Sequence, residues 1–350
     1  FIEINHSNYI FVAGIYDDSQ NFKIIEKIVV PNEGINKNRF TNIDQAKEVI
    51  KRNVQLIEDK LNYVFKDATI ILDNLYYSCV NISGFKKLNG SQVLKENISY
   101  ILNSLKLSVT ENEKNKDILH IFNSKSILDG RYIDNLPIGL HGNFYNHELS
   151  FFLLDKSDHK NIKHIFNKNN LIVKKIFTKS FVDGVQLINQ DKTVDSFFKV
   201  EIFNNKSKII FFDKSSFVYE EKFDFGYDII LQDISKVCYV SNQEIKKLKK
   251  ENFFKKNFNE NDYLDEKYIF NKPIKKIRKK LLKDVAEARI EEIASIILKK
   301  NINIKSYLKN DTLIYLSIDN ESIFENFEKA IKFYLSDNEN LKVQKVKNFD

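Results

Sequence analysis

Between Lys246 and Lys283 the chain carries 14 lysines and arginines against 5 acidic residues, a local surplus of 9 that exceeds the +7 of the whole chain. Cations at that density draw an anionic partner: a nucleic acid, an anionic lipid surface or an acidic peptide. Composition does not choose among the three, and a plain solvated helix face is the alternative to them all. The interleaved aromatics Phe253, Phe254, Tyr263, Tyr268 and Phe270 add stacking surface, but a nucleic-acid platform also needs a strand or groove context that the pattern does not supply. Other chemistries find no residues at the right spacing. The six histidines, His159 and His164 among them, show no metal-ligand spacing. Cys79 and Cys238 stand far apart, which argues against a disulfide framework or a zinc site and for a reducing compartment. Gly-x-Ser-x-Gly, the P-loop and the dinucleotide fingerprint are all absent.

The elements that position these residues follow from periodicity. A chain of 350 residues exceeds the size at which a single core stops growing, so more than one lobe is expected. With 43% hydrophobic and 29% charged residues it reads as folded throughout. The longest apolar runs, such as Tyr9–Tyr16, fall short of the ~20 residues that span a bilayer, and no leader pattern is visible. A chain that opens on Phe1 and not Met reads as part of a longer product. Alternation in Tyr9–Tyr16 and Lys23–Val30 predicts a hairpin, broken by Pro31-Asn32-Glu33-Gly34. Asn42 is the expected N-cap of a helix that buries Ile43, Ala46, Ile50, Val54, Ile57 and Leu61. Strands at Ala68–Leu72 and Tyr77–Phe85 follow. Ser91 is expected to cap a second helix carrying Val93, Leu94, Ile98, Ile101, Leu102 and Leu105, and with short strands at Ile118–Phe122 and near Glu148–Leu154 it makes a small inserted α+β unit. A helix from Asp158, a strand Leu171–Phe177 and a helix from about Ser180 return to the α/β pattern. Strands Phe197–Ile202, Lys208–Phe212 and Phe217–Lys222, then helices near Asp228–Val237 and Asn242–Lys250, echo the first half and suggest duplication of one α/β unit.

Five stretches, in order, resemble the FtsA family, the actin-like proteins that tether FtsZ filaments to the membrane in bacterial division. They are Gly34-Ile35 with Lys37 and Phe40, where the family usually has Gly in place of Asn38; Leu128-Asp129-Gly130 with Leu136-Pro137-Ile138-Gly139-Leu140 and Gly142; Lys160-Asn161-Ile162 before Leu171-Ile172-Val173; Gln243-Glu244-Ile245-Lys246-Lys247; and Leu281-Leu282, Val285, Ala288-Arg289 and Glu291-Glu292-Ile293. The resemblance runs from the first strand to about Val343. It implies an α/β, actin-like (ribonuclease H-like, duplicated) fold of two lobes with an inserted small α+β, SHS2-like subdomain. The implied division is subdomain 1A over 1–85, the insert 1C over 86–158, 1A again over 159–194, 2A over 195–231, and a small basic 2B over 232–283. Residues 284–350 then hold the rest of the 2B helix, 2A and the start of a C-terminal 1A segment.

Members of the family hold nucleotide phosphates on two glycine-rich turns, since only Gly lets backbone N–H groups curl around the oxygens. Here the first turn reads Glu3-Ile4-Asn5-His6-Ser7-Asn8 and the second Glu201-Ile202-Phe203-Asn204-Asn205-Lys206; the adenosine-side Gly-Gly reads Ser317-Ile318-Asp319. Glu3 and Glu201 keep the acidic positions, and Ser7, Lys206, Glu244 and Lys247 complete a weak set. The resemblance therefore implies no cofactor or weak ATP/Mg binding, and a pseudo-ATPase. It also places the acidic FtsZ C-terminal tail on Lys275, Lys276, Arg278, Lys279, Lys280, Lys283 and Arg289, with the Arg289 fork gripping carboxylates. Further implied are other divisome partners, self-association into filaments, no nucleic acid, and a cytoplasmic protein held peripherally on the inner membrane face at the division site by a helix beyond Asp350. A PilM-like pilus-assembly adaptor and an active actin-family ATPase are the alternative readings.

Overall fold

A computed structural model describes the chain apart from residues 6, 19–21, 37–38, 74–76, 242–243, 246, 248–252, 254–255, 257, 266–275, 309–312, 319–322, 336–341 and 347–350. It divides into two compact units. The first holds Phe1–Thr193 with Ser215–Tyr219, the second Val194–Lys214 with Glu220–Asp350.

Unit 1 runs β1 (Ile2–Ile4), β2 (Asn8–Tyr16), β3 (Phe22–Pro31), the short β4 (Ile35–Asn36) and β5 (Arg39–Phe40), α1 (Ile43–Leu61), β6 (Asp67–Leu72), β7 (Tyr77–Lys87), α2 (Lys95–Asn112), β8 (Lys116–Leu128), β9 (Arg131–Ile133), β10 (Phe144–Asp155), α3 (Lys156–Asn167), β11 (Ile172–Thr178) and α4 (Lys179–Gln190). Its main sheet has the order β11-β6-β1-β2-β3, with β1, β2 and β3 antiparallel and β6 and β11 parallel to β1. The α1 helix starts where the sequence places it: Asn42 is extended and its side chain accepts from the Gln45 N–H at 3.0 Å. The predicted face is the buried one. Ala46, Ile50 and Ile57 lie in the core with Ile2, Ile4 and Phe11 of the sheet, and Ile43, Val54 and Leu61 pack at its margin.

The insert departs from expectation at its start. All of β7 pairs with β10, from Tyr77 opposite Leu154 to Lys87 opposite Phe144, in a separate sheet of order β7-β10-β8-β9. The inserted layer therefore begins at Tyr77 and not at residue 86, because alternation marks a strand without naming its partner. Two caps also move. Helix α2 begins after Leu94, whose N–H donates to the Asn97 side chain at 2.7 Å, while the Ser91 N–H closes a turn on the Leu88 carbonyl. Helix α3 is capped by Asp155, which accepts from the Ser157 N–H at 2.8 Å, and Asp158 lies buried inside its first turn. The Leu128-Asp129-Gly130 signature turns out to be a hairpin connection: Asp129 and Gly130 have φ of 49° and 77°, the two positive values that a two-residue loop with native strand twist requires. The Asp129 carboxylate then accepts from the N–H groups of Asn143 and Phe144 at 2.9 and 2.8 Å, tying the distant Gly142 segment to the same turn.

His120 of β8 stacks on Phe177 with centroids 5.7 Å apart and planes 12° apart. Its buried Nε2 has no hydrogen-bond partner, and burial lowers the imidazole pKa to about 4. Because the folded value is depressed, the stabilisation is full above the ordinary value of 6.5 and is lost as pH falls from there toward 4. His120→Phe is expected to flatten the acid limb of a thermal-midpoint profile, removing a slope of up to ~1.4 kcal/mol per pH unit. An unchanged profile would mean that another group sets it.

The chain continues with β12 (Phe197–Ile202), β13 (Ser207–Asp213), β14 (Ser216–Phe223, of which Ser216–Tyr219 counts with unit 1), α5 (Asp228–Cys238), α6 (Lys279–Ala294) with a π-helical extension over Ser295–Lys299, α7 (Ile302–Lys305), β15 (Leu313–Ile318), α8 (Phe324–Tyr334) and β16 (Lys342–Lys345); all but that part of β14 belong to unit 2. Its sheet order is β14-β13-β12-β15-β16; β13 is antiparallel to β12, whereas β15 and β16 run parallel. This repeats the main sheet of unit 1, hairpin strands on one side and two parallel strands on the other, and is the duplication expected from the sequence. Both β12 and β13 are buried along their whole length, so both faces of this sheet are covered. The expected helix over Asn242–Lys250 falls largely outside the described residues; Glu244, Ile245 and Lys247 are helical.

Candidate partner-binding and nucleotide sites

Helix α5 ends at Cys238, and Tyr239 turns the chain away in the left-handed region at φ 54°. Helix α6 starts at Lys279, directly after Arg278. Beside the end of one helix and the start of the other lies a groove of about 490 Å³. Its apolar wall is Val237, Tyr239 and Leu281, which are 52%, 61% and 43% exposed. Its charged residues are the cations Lys276, Arg278 and Lys280 and the acids Glu260 and Asp284. Arg278 Nη1 lies 3.5 Å from Glu260 Oε2, and the Lys280 ammonium bonds the same carboxylate, holding it below the usual carboxylate range. Lys276 Nζ stands 5.6 Å from the centre of the Tyr263 ring. Three positive side chains beside exposed apolar surface can hold a peptide that is both acidic and apolar.

The structure brings together only part of the predicted set. Lys279 sits 5.9 Å over the Phe258 ring, and Lys283 donates to the Lys256 carbonyl at 3.2 Å; neither lines the groove. Arg289 bonds Asp233 of α5 through Nε and Glu292 through Nη1 at 2.5 Å, which joins α5 to α6. Lys275 lies outside the described residues. Sequence reasoning missed Val237 and Tyr239, because an exposed apolar residue at a helix end has no periodic signature.

At the first phosphate turn, two described N–H groups already have an acceptor. The Asn5 side-chain carbonyl accepts from the N–H groups of Ser7 and Asn8 at 3.0 and 2.8 Å, and the Asn5 amide donates to Glu3 Oε1 at 3.2 Å. Burial pushes the Glu3 carboxyl up, an effect that Lys179 and Asn5 partly offset. At the second turn the Phe203 N–H donates to the Lys206 carbonyl at 2.9 Å, and neither Asn204 nor Asn205 takes the left-handed conformation. Lys206 Nζ is 5.8 Å from the centre of the Phe203 ring. Glu201 is ion-paired with Lys199 and Lys208 at 3.0 and 2.8 Å. Glu244 is buried with one carboxylate oxygen lacking a hydrogen-bond partner, whereas Lys247 is exposed. That oxygen keeps capacity for a polar ligand. At these turns the N–H groups of Ser7, Asn8 and Phe203 already have acceptors, and Glu201 already has two lysine partners. Among the described residues no group of three or more His, Cys, Asp or Glu could hold a metal ion, and no helix is long and apolar enough to cross a membrane.

No family model matches the chain. Two curated relatives are named cell division protein FtsA. The one from Buchnera aphidicola of Schizaphis graminum is 21% identical over 248 residues, 71% of this chain and 59% of its own length. The one from Buchnera aphidicola of Acyrthosiphon pisum is 21% identical over 309 residues, 88% of this chain and 73% of its own length. The chain thus spans less than two thirds of the first relative. Among solved structures, a type IV pilus biogenesis complex of PilM and PilN aligns over 98% of this chain and 87% of its own, with a TM-score of 0.58 and 9% identity; at that identity the likeness concerns the fold. With the duplicated sheet, the inserted layer and these relatives together, the chain has an actin-like fold and resembles cell division protein FtsA in sequence.

Proposed function

We propose that this chain is a cell-division scaffold that holds the acidic C-terminal tail of FtsZ in the groove beside α5 and α6, and so links FtsZ filaments to the divisome and the membrane without turning over ATP. The observation that carries the reading is the groove: Lys276, Arg278 and Lys280 stand beside exposed Val237, Tyr239 and Leu281, in a chain whose curated relatives are cell-division proteins. Clustered cations raise the encounter rate with an acidic peptide and select its register, and the apolar wall supplies the desolvated contact. The capped phosphate turns support the absence of turnover. Self-association and peripheral attachment to the inner membrane face belong to the same proposal. The fold-level likeness to PilM favours, as a second reading, an adaptor that takes a pilus-assembly peptide.

Fluorescence anisotropy with a labelled FtsZ tail peptide tests the groove. The triple variant Lys276→Glu, Arg278→Glu, Lys280→Glu should weaken binding at least ~10-fold, since three reversed surface charges each contribute on the order of 0.5–1 kcal/mol. Added salt should weaken the wild type in the same sense. Undiminished binding by the triple variant would sink the site, and preference for a PilN peptide would favour the adaptor.

A further inference from the structure

In unit 2 the acid that a phosphate turn of this family would present to a metal has two buried ammoniums beside it, and in unit 1 an ammonium stands near the acids at the strand ends. In unit 2 the sheet itself builds the arrangement. Lys208 of β13 stands directly opposite Glu201 of β12, and Lys199, two residues back on β12, shares that face. The Lys199 and Lys208 ammoniums lie 3.0 and 2.8 Å from the two Glu201 oxygens, and the three side chains are 0%, 7% and 3% exposed.

In unit 1 different elements bring a lysine near the acids. The main-sheet strands β1, β6 and β11 are parallel and end together, with Glu3 in β1, Asp73 just past β6 and Lys179 just past β11. The Asp73 N–H donates to the Ile4 carbonyl at 3.1 Å, which holds those ends side by side. Lys179 is the first residue of α4 and donates to Asp183, one turn on, at 2.5 Å; Asp183 is buried and the Lys179 side chain is 12% exposed. Burial alone would lower the Lys179 pKa, but Asp183, Glu3 and Asp73 together raise it above the ordinary lysine value. The carboxyl ends of parallel strands are where α/β sheets gather charged ligands, and here a side chain supplies the positive charge.

We infer that Lys179 in unit 1, and Lys199 with Lys208 in unit 2, are resident counter-cations that take the electrostatic place of a divalent metal at Glu3 and Glu201, so that the fold neither needs nor admits one at these acids. An ammonium tethered to a strand or helix stays at full occupancy, whereas a metal must be bound from solution and is removed by chelation. The inference rests on the non-hydrolysing reading above and extends it to the apoprotein, which should be complete without ions.

The test uses the full chain. Its thermal midpoint is expected to be the same in EDTA and in millimolar MgCl2, and a Mn²⁺ titration followed by electron paramagnetic resonance is expected to show free aquo-ion only. Lys179→Met and the double variant Lys199→Met, Lys208→Met are each expected to lower the midpoint at neutral pH, with the loss shrinking on acidification as the abandoned acid, Glu3, Asp73 or Asp183 in one case and Glu201 in the other, takes up a proton. A loss equal at both pH values would assign the lysines a packing role and overturn the inference. If both variants fail to fold, the Mn²⁺ titration of the wild type decides: tight uptake overturns, none supports. Mn²⁺ bound by the nucleotide-free protein would refute this inference alone, whereas Mg²⁺-dependent ATP hydrolysis would refute the non-hydrolysing reading.

Discussion

Glu201→Ala should destabilise the protein by about 3–5 kcal/mol, because it strands two buried ammoniums without their acid. The Lys199 and Lys208 side chains are 0% and 7% exposed, so removal of the carboxylate leaves positive charge in a poorly solvated interior. Urea denaturation reads the loss directly. The sheet register puts Lys208 opposite Glu201, and backbone movement cannot relieve the pair without disturbing β12 and β13 along their length. A triple change, Lys199→Met, Lys208→Met and Glu201→Leu, should recover most of the loss, since replacing a whole buried ion cluster by apolar groups of similar volume is often neutral or better. A loss below about 1 kcal/mol for Glu201→Ala would mean that water reaches the trio.

Gly226→Ala is the second large effect. A Cβ at this position would sit 2.2 Å from the Phe203 carbonyl oxygen and 2.6 Å from that of Asn204. Neither oxygen is free to retreat: the Tyr227 N–H donates to the first at 3.0 Å and the Asp228 N–H to the second at 2.8 Å, satisfying N–H groups at the start of α5 that have no partner within the helix. Overpacking of a backbone-to-backbone contact costs about 1–3 kcal/mol or more, and thermal unfolding should show it. Because α5 carries Val237 to the groove at its far end, peptide affinity in the same variant reports whether the helix has shifted. An alanine tolerated with unchanged midpoint would mean that the turn at Phe203–Lys206 can move away.

These two sites show why parts of the molecule were legible in the sequence and parts were not. Helix α1 could be read in full, cap and buried face, because Asn42 acts on a neighbour three residues on and the apolar positions repeat within one element. Strand β12 was read to the residue, Phe197–Ile202. Strand β7 was recognised as a strand but assigned to the wrong layer, since its partner β10 lies about 70 residues away. Arg289 was expected at a partner's carboxylates and instead bonds Asp233, 56 residues earlier; only the packing of α5 on α6 makes that acid its neighbour.

By itself, the sequence determined what depends on local spacing: the cap and face of α1, the hairpins, the duplication of the α/β unit, the basic segment before α6, and the replacement of glycines by Asn5, Phe203 and Asn204. Tertiary structure alone decided what those residues do. Asn5 caps the turn that it occupies, three of the predicted cations share a groove with Val237 and Tyr239, and Glu201 lies between two lysines. The physical reason is range. Capping and amphipathicity act within one turn or one strand and leave a periodic trace, whereas ion pairs across strands and grooves between helix ends join residues whose separation along the chain carries no information about their distance in space.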